Sequence, residues 1–233
     1  MPARARRRPS GARERALSTV ERLEQEYPDA ECALTHHSPW QLLVATILSA
    51  QTTDERVNMV TPALFARYPD AAALAGAAQE EVEDIIRSTG FFRSKARAIR
   101  EMSQDVVQRF QGEVPSDMAE LVTLRGVGRK TANVVLGVAF GKPGFAVDTH
   151  VIRLTGRLQL TRSKDPVEIE RDIVAMVPAE HLTFLSLRLI LHGRRICVAR
   201  SPRCPRCVLN DFCPSAGTGR PPSSRGRGRS ARR

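Results

Sequence analysis

The chain has 233 residues, 42% of them hydrophobic, and a formal net charge of +11 at pH 7. That length allows one large domain or two small ones with real cores, and no apolar run approaches membrane-spanning length. No apolar segment follows the basic N-terminus as a secretory signal requires, so the expectation is a soluble cytoplasmic protein without a membrane partner.

Residues 1–15 carry six arginines and one acid, and 214–233 carry six arginines and no acid, so residues 16–213 are formally neutral. The Gly/Ser/Pro/Arg-rich ends, 1–13 and 214–233, read as basic disordered tails. Charge is also segregated within the body. Residues 16–86 hold three basic and twelve acidic side chains, whereas 87–213 hold twenty-one and twelve. Basic tails and a basic second half point to a polyanion such as DNA or RNA.

The pattern between the tails is helical throughout. Apolar spacing predicts a helix over 15–27, stopped by Pro28, and a buried helix over 39–49, apolar on all sides. Further helices are expected over 53–67, 71–76, 78–87, 92–111, 117–123, 129–140, 149–158, 167–177 and 181–193. Ser116 and Asp165 read as N-caps, the latter ahead of Pro166 in the first turn. No segment alternates as a strand would, and no internal repeat emerges.

Leu121 to Ala132 places a two-glycine turn, Gly126-Val127-Gly128, between two short helices. Glycine permits positive φ and close approach of another backbone. The amides opening the second helix, at Arg129 and beyond, then present the positive end of its dipole to an anion such as a DNA phosphate. Lys130 follows at once, in a chain with four lysines against thirty-two arginines. Arginine does not give up its proton to become a nucleophile, whereas lysine can. Asp148 stands just before the helix starting at Thr149, as an N-cap, a functional carboxylate, or both.

Cys197, Cys204, Cys207 and Cys213 read C-x6-C-x2-C-x5-C, and the remaining cysteine is Cys32. Pro202, Pro205 and Pro214 keep this stretch from continuing as a helix, so it reads as a loop wrapping a metal centre. The residues alone allow either zinc or an iron–sulfur cluster.

Four blocks then resemble, in order, the endonuclease III family of DNA glycosylases in the helix-hairpin-helix superfamily. They are Leu48-Ser49-Ala50-Gln51-Thr52-Thr53-Asp54, the hairpin, Ala146-Val147-Asp148-Thr149-His150, and the cysteine loop. Gly90 to Ala96 and Leu191-His192-Gly193-Arg194 are similar too, and the likeness runs over about residues 14–213.

The resemblance implies an all-α fold of two helical domains flanking a DNA-binding cleft. One is a six-helix domain over 32–142, and the other joins 14–31 to 143–213 and holds a 4Fe–4S cluster on the four cysteines. It implies a monomeric, nucleoid-associated enzyme acting on double-stranded DNA that contains damaged bases or abasic sites. That enzyme excises oxidised pyrimidines through a Schiff base on Lys130, assisted by Asp148, and cuts the strand by β-elimination. Gln51 matches the residue that fills the gap left by a flipped base, and Phe91 stands at the position of an apolar wedge. Gly126, Val127, Gly128 and Arg129 supply the phosphate site, while His150 reads as a structural hydrogen-bonding group.

Two departures stand out: Arg125 replaces the usual proline before the first glycine, and Phe91-Phe92 is bulkier than is common. The alternatives are a mismatch adenine glycosylase, which needs a carboxylate where this chain has Ala45, and a non-catalytic DNA-binding iron–sulfur protein.

Overall fold

The structure, a computed structural model, describes residues 8–218. Among them the regular elements are all helical: α1 (Ala12–Glu26), α2 (Pro39–Leu48), α3 (Asp54–Arg67), α4 (Ala71–Ala75), α5 (Gln79–Ile86), α6 (Phe92–Phe110), α7 (Met118–Leu121), α8 (Arg129–Phe140), α9 (Thr149–Arg157), α10 (Pro166–Val174) and α11 (Leu182–Arg195), with three short 3-10 turns. None is long and apolar enough to cross a membrane.

The chain divides into two compact units. A central unit comprises Glu31–Ala146 with Leu182–Phe184, and a terminal unit comprises the chain up to Ala30, Val147–His181 and the chain from Leu185 onward. The central unit contains seven α-helices, α2 to α8, one for each helix that the apolar spacing predicts there, where the resemblance implies six; α4 and α7 are the shortest, at five and four residues.

Helix α2 explains the central unit. Leu42, Leu43, Val44, Ala45 and Leu48 are all fully buried, so this helix has no solvent face and must be covered on every side. Helices α3, α6 and α8 pack directly against it. Ser38 caps it through Gln41 N at 3.2 Å, and Pro39 opens its first turn. Trp40 donates its indole N–H to Ser103 Oγ at 3.1 Å, which satisfies the one polar atom of that buried ring.

In the terminal unit, Arg15 of α1 donates to the carbonyls of Leu158 and Gln159, both at 2.8 Å. Buried Arg188 of α11 donates to Tyr27 O and pairs with Glu24 at 3.2 Å.

Several boundaries differ from the sequence reading. Helix α1 starts at Ala12 rather than Arg15, because Gly11 at φ +68 turns the chain and Ala12 is buried. The cap of α7 is Asp117, whose Oδ1 accepts from Ala119 N at 2.7 Å, whereas Ser116 instead receives the Lys142 ammonium. Residues 214–218 were assigned to the basic tail, yet Ser215 is buried and donates to Arg157 O at 2.8 Å. The rest of both tails, 1–7 and 219–233, lies outside the described residues.

Candidate functional site

Three turns of the central unit hold the residues singled out for DNA. Two carry a side chain at positive φ, Gln51 at +55° and Phe91 at +47°, and the third carries Gly126 at +78°. A left-handed φ is strained for any residue with a Cβ and unusual for phenylalanine. Both Gln51 and Phe91 are exposed, with Phe91 at 65% of its surface. A phenylalanine held in strain and pointed at water gives up burial that a core position would provide. That combination marks a residue kept for contact rather than packing.

The glycine turn ties these segments together. A Cβ at Gly126 would stand 3.2 Å from Ala98 Cβ of α6 and 3.5 Å from Ile47 Cγ2 of α2. Ile47 lies four residues before Gln51, and Ala98 seven after Phe91. The hairpin is therefore seated against the two helices that carry the other two turns.

Leu121, Leu124 and Val127, three apart, are buried and anchor it. Val127 thus offers its backbone, not its side chain, to any ligand. Gly128 caps α8 with an extended backbone and without a side-chain hydrogen bond. No N-cap side chain therefore occupies the start of α8, an arrangement compatible with an anion there. Arg125, expected to add charge here, pairs with Glu101 at 3.3 Å, which offsets it.

Lys130 is exposed in the first turn of α8, as is Arg129. The other lysines are differently employed or placed. Lys95 is buried at 5% exposure, Lys142 bonds Ser116, and Lys164 lies in the turn before α10. In the terminal unit, half-buried Asp148 caps α9, its Oδ1 accepting from Val151 N at 2.8 Å. Among the described residues its other oxygen has no hydrogen bond. His150 Nδ1 lies 3.0 Å from Arg153 Nη2, an arginine that also donates to Gly193 O and Cys197 O. That network ties His150 through Arg153 to the end of α11 and the start of the cysteine loop.

After α11 the chain winds through turns and a 3-10 turn over Cys204–Arg206. The four cysteines are half-buried and border one partly open pocket, together with Ile196 and Pro202. Among the described residues no three His, Cys, Asp or Glu side chains converge on a single ion. Sulfurs spread around a shared space suit a multi-iron cluster, in which each thiolate binds a different iron, better than one zinc ion.

Burial, chiefly, and the other three sulfurs of the loop together push the Cys207 thiol up to about 11. Four neighbouring thiolates therefore need a bound cation. Two nitrogen groups already face the sulfurs: Arg157 Nη1 donates to Cys197 Sγ at 3.1 Å, and His192 Nε2 lies 3.2 Å from Cys207 Sγ. Both side chains are buried, and Tyr27 Oη meets His192 Nδ1 at 3.0 Å. The donor set fits an iron–sulfur cluster. The sequence reading missed Arg157 and His192 as neighbours of the sulfurs, although His192 sits in the quoted Leu191–Arg194 block.

Comparison with known proteins follows this geometry closely. The family model for HhH-GPD superfamily base excision DNA repair proteins matches residues 44–179, and that for the iron-sulfur binding domain of endonuclease III matches 197–213. The endonuclease III of Synechocystis sp. is 53% identical over 211 residues, covering 90% of this chain and 96% of its own. A solved non-covalent endonuclease III–DNA complex superimposes with a TM-score of 0.82 at 42% identity, over 86% of this chain and 94% of that one. A trapped endonuclease III–DNA covalent intermediate, an estranged-adenine complex, gives the same score over 86% and 95%.

Proposed function

The chain belongs to the endonuclease III family of HhH-GPD base excision DNA repair proteins, and from that membership we propose how its own residues carry out repair. It is a DNA glycosylase with lyase activity at abasic sites and an iron–sulfur protein. Within that activity, Lys130 is the nucleophile. The observation that carries this reading is the exposed amine of Lys130 in the first turn of a helix whose N-cap, Gly128, brings no capping side chain. The amides hold a phosphate while the amine reaches the adjoining sugar.

The damaged base swings out of the stack, and Gln51 enters the gap while Phe91 wedges the duplex. The Lys130 nitrogen lone pair then forms a bond to C1′. The glycosidic bond breaks, its electron pair leaving with the base, which takes up a proton. Loss of a proton from the lysine nitrogen and opening of the sugar give the Schiff base. Removal of a proton at C2′ expels the 3′ phosphate, which cuts the strand. Asp148 accepts the proton that frees the amine, and its charge opposes the cation developing on the sugar. Cys197, Cys204, Cys207 and Cys213 hold the 4Fe–4S cluster, which supplies a cross-link that shapes the Arg-bearing loop.

The preferred lesions are oxidised pyrimidines in double-stranded DNA, handled by a monomer at the nucleoid. A mismatch adenine glycosylase is disfavoured because Ala45, where the carboxylate would stand, is fully buried among leucines. Borohydride trapping on duplexes containing thymine glycol, dihydrouracil or an abasic site tests the reading. The native chain forms a covalent adduct, and Lys130→Gln forms none while still binding DNA. Undiminished trapping by Lys130→Gln would reassign the nucleophile.

A further inference from the structure

Lys95 is a buried amine that the chemistry above leaves unused. It occupies the fourth position of α6, and only 5% of its surface is exposed. A cation there lies at the positive end of the helix dipole, which is unfavourable. No ion pair among the described residues reaches it, and its Nζ makes one hydrogen bond, to Thr89 O at 2.7 Å. Burial lowers its pKa accordingly. Methionine would fill the same space without desolvating a charge. The position therefore sacrifices stability, and the atom it holds indicates why.

Thr89 O opens the turn that carries Phe91. Gly90 follows at φ +69° and ψ +158°, a region that essentially only glycine occupies, and Phe91 follows at φ +47° and ψ +28°. Two successive positive-φ residues relax unless the segment is tied on both sides. On the far side, Lys95 N and Ser94 Oγ donate to Phe91 O at 3.0 and 2.9 Å. On the near side, Thr89 Oγ1 donates to Ile86 O at 2.8 Å, and the Lys95 ammonium holds Thr89 O. One residue thus grips the turn twice, by its amide after Phe91 and by its side chain before Gly90. Among the described residues no buried charged side chain bonds the Gln51 turn; its bonds include Ala50 N to Ile47 O, Thr52 N to Ser49 O and Ser49 Oγ to Thr46 O.

We propose that Lys95 is a positioning residue that locks the Thr89–Phe91 turn so that the exposed Phe91 ring enters the duplex pre-formed. The inference rests on reading Phe91 as the wedge. A wedge that is already ordered spends less of its contact energy on ordering itself when DNA arrives. The lesion must be extruded before Lys130 can act, so a loose wedge slows extrusion without touching the nucleophile.

The test is a double-mutant cycle on the holoprotein, read as single-turnover excision from a dihydrouracil duplex. Lys95→Met slows it about tenfold, Phe91→Ala about as much, and the double variant no further than the slower single. Borohydride trapping on single-stranded abasic DNA, which has no stack to wedge, stays at the native rate in Lys95→Met. The melting temperature of Lys95→Met is equal or higher, because a buried unpaired charge is gone. Lys95→Gln, which keeps an N–H donor on a shorter arm, falls between the native and Met rates and carries the same cycle should the Met chain fold poorly. Additive losses in the double variant, or an equal loss on single-stranded DNA, would overturn the role of Lys95 while leaving the wedge intact. An unaffected Phe91→Ala would instead overturn the wedge reading, and the inference with it.

Discussion

Helices α8 and α9 begin in opposite ways. Gly128 opens α8 with bare backbone and no side-chain hydrogen bond, and Lys130 stands exposed two residues on. Asp148 opens α9 with a carboxylate that closes on Val151 N at 2.8 Å. The first end has no acceptor side chain at its N-cap, which suits an anion from a ligand. The second supplies its own acceptor, and a negative charge at the positive end of a helix dipole is favourable. An open end suits a phosphate, whereas a closed end carries a fixed carboxylate whose second oxygen is available for chemistry. On the proposed reading the two ends divide binding from charge stabilisation, and each half of that division can be altered alone.

The largest effect after loss of the nucleophile is expected at the closed end. Asparagine caps a helix nearly as well as aspartate. Asp148→Asn should therefore melt close to the native temperature yet excise the lesion about a hundredfold more slowly, because a neutral amide neither takes the lysine proton nor offsets positive charge. Single-turnover kinetics alongside thermal melting would separate the two roles. A large drop in melting temperature with an unchanged rate would make Asp148 a cap and nothing more.

Next in size is an attempt to make the open end resemble the closed one. Gly128 has φ −92° and ψ 174°, a conformation open to any residue, and a Cβ there would meet nothing within 4 Å. Gly128→Asp should fold normally, cap α8 and occupy the amides with its own carboxylate. Duplex binding should weaken by about tenfold or more at low salt, through loss of the phosphate site and added repulsion. Fluorescence anisotropy on undamaged duplex measures this directly. Unweakened binding would mean that the phosphate sits elsewhere.

Helix positions and the cysteine loop were readable in the residues because their signals are local. An all-apolar run makes α2 buried, and proline and glycine punctuation bounds most of the others. The cysteine spacing announces a metal centre without any tertiary knowledge. What escaped depends on partners distant in sequence. Arg157 reaches Cys197 over forty positions and His192 reaches Cys207 over fifteen, and no periodicity encodes either. The left-handed backbones of Gln51 and Phe91 were invisible for another reason: neither residue type announces positive φ. Asp117 displaced Ser116 as the α7 cap by a single residue, the ordinary uncertainty of a helix end.

The smallest effect on chemistry, and the clearest on salt dependence, is expected from the charged ends of the chain. Residues 1–7 and 219–233 contain nine arginines and no acid. Arginine attracts phosphate through charge, so each contact releases a counterion and steepens the salt dependence by about 0.9 in the slope of log K against log salt. The open amides of α8 carry only a partial charge and contribute little to that slope. A chain trimmed to 8–218 keeps Gly11 and Ser215, which hold α1 and the end of the cysteine loop in place. It should bind undamaged duplex more weakly with a shallower slope. Its single-turnover rate at saturating lesion DNA should stay at the native value, because Lys130 and Asp148 are retained. An unchanged slope would show that the arginines do not touch DNA. A fall in the saturated rate would show instead that they help to form the site, which would blur the division between binding and chemistry that the two helix ends display.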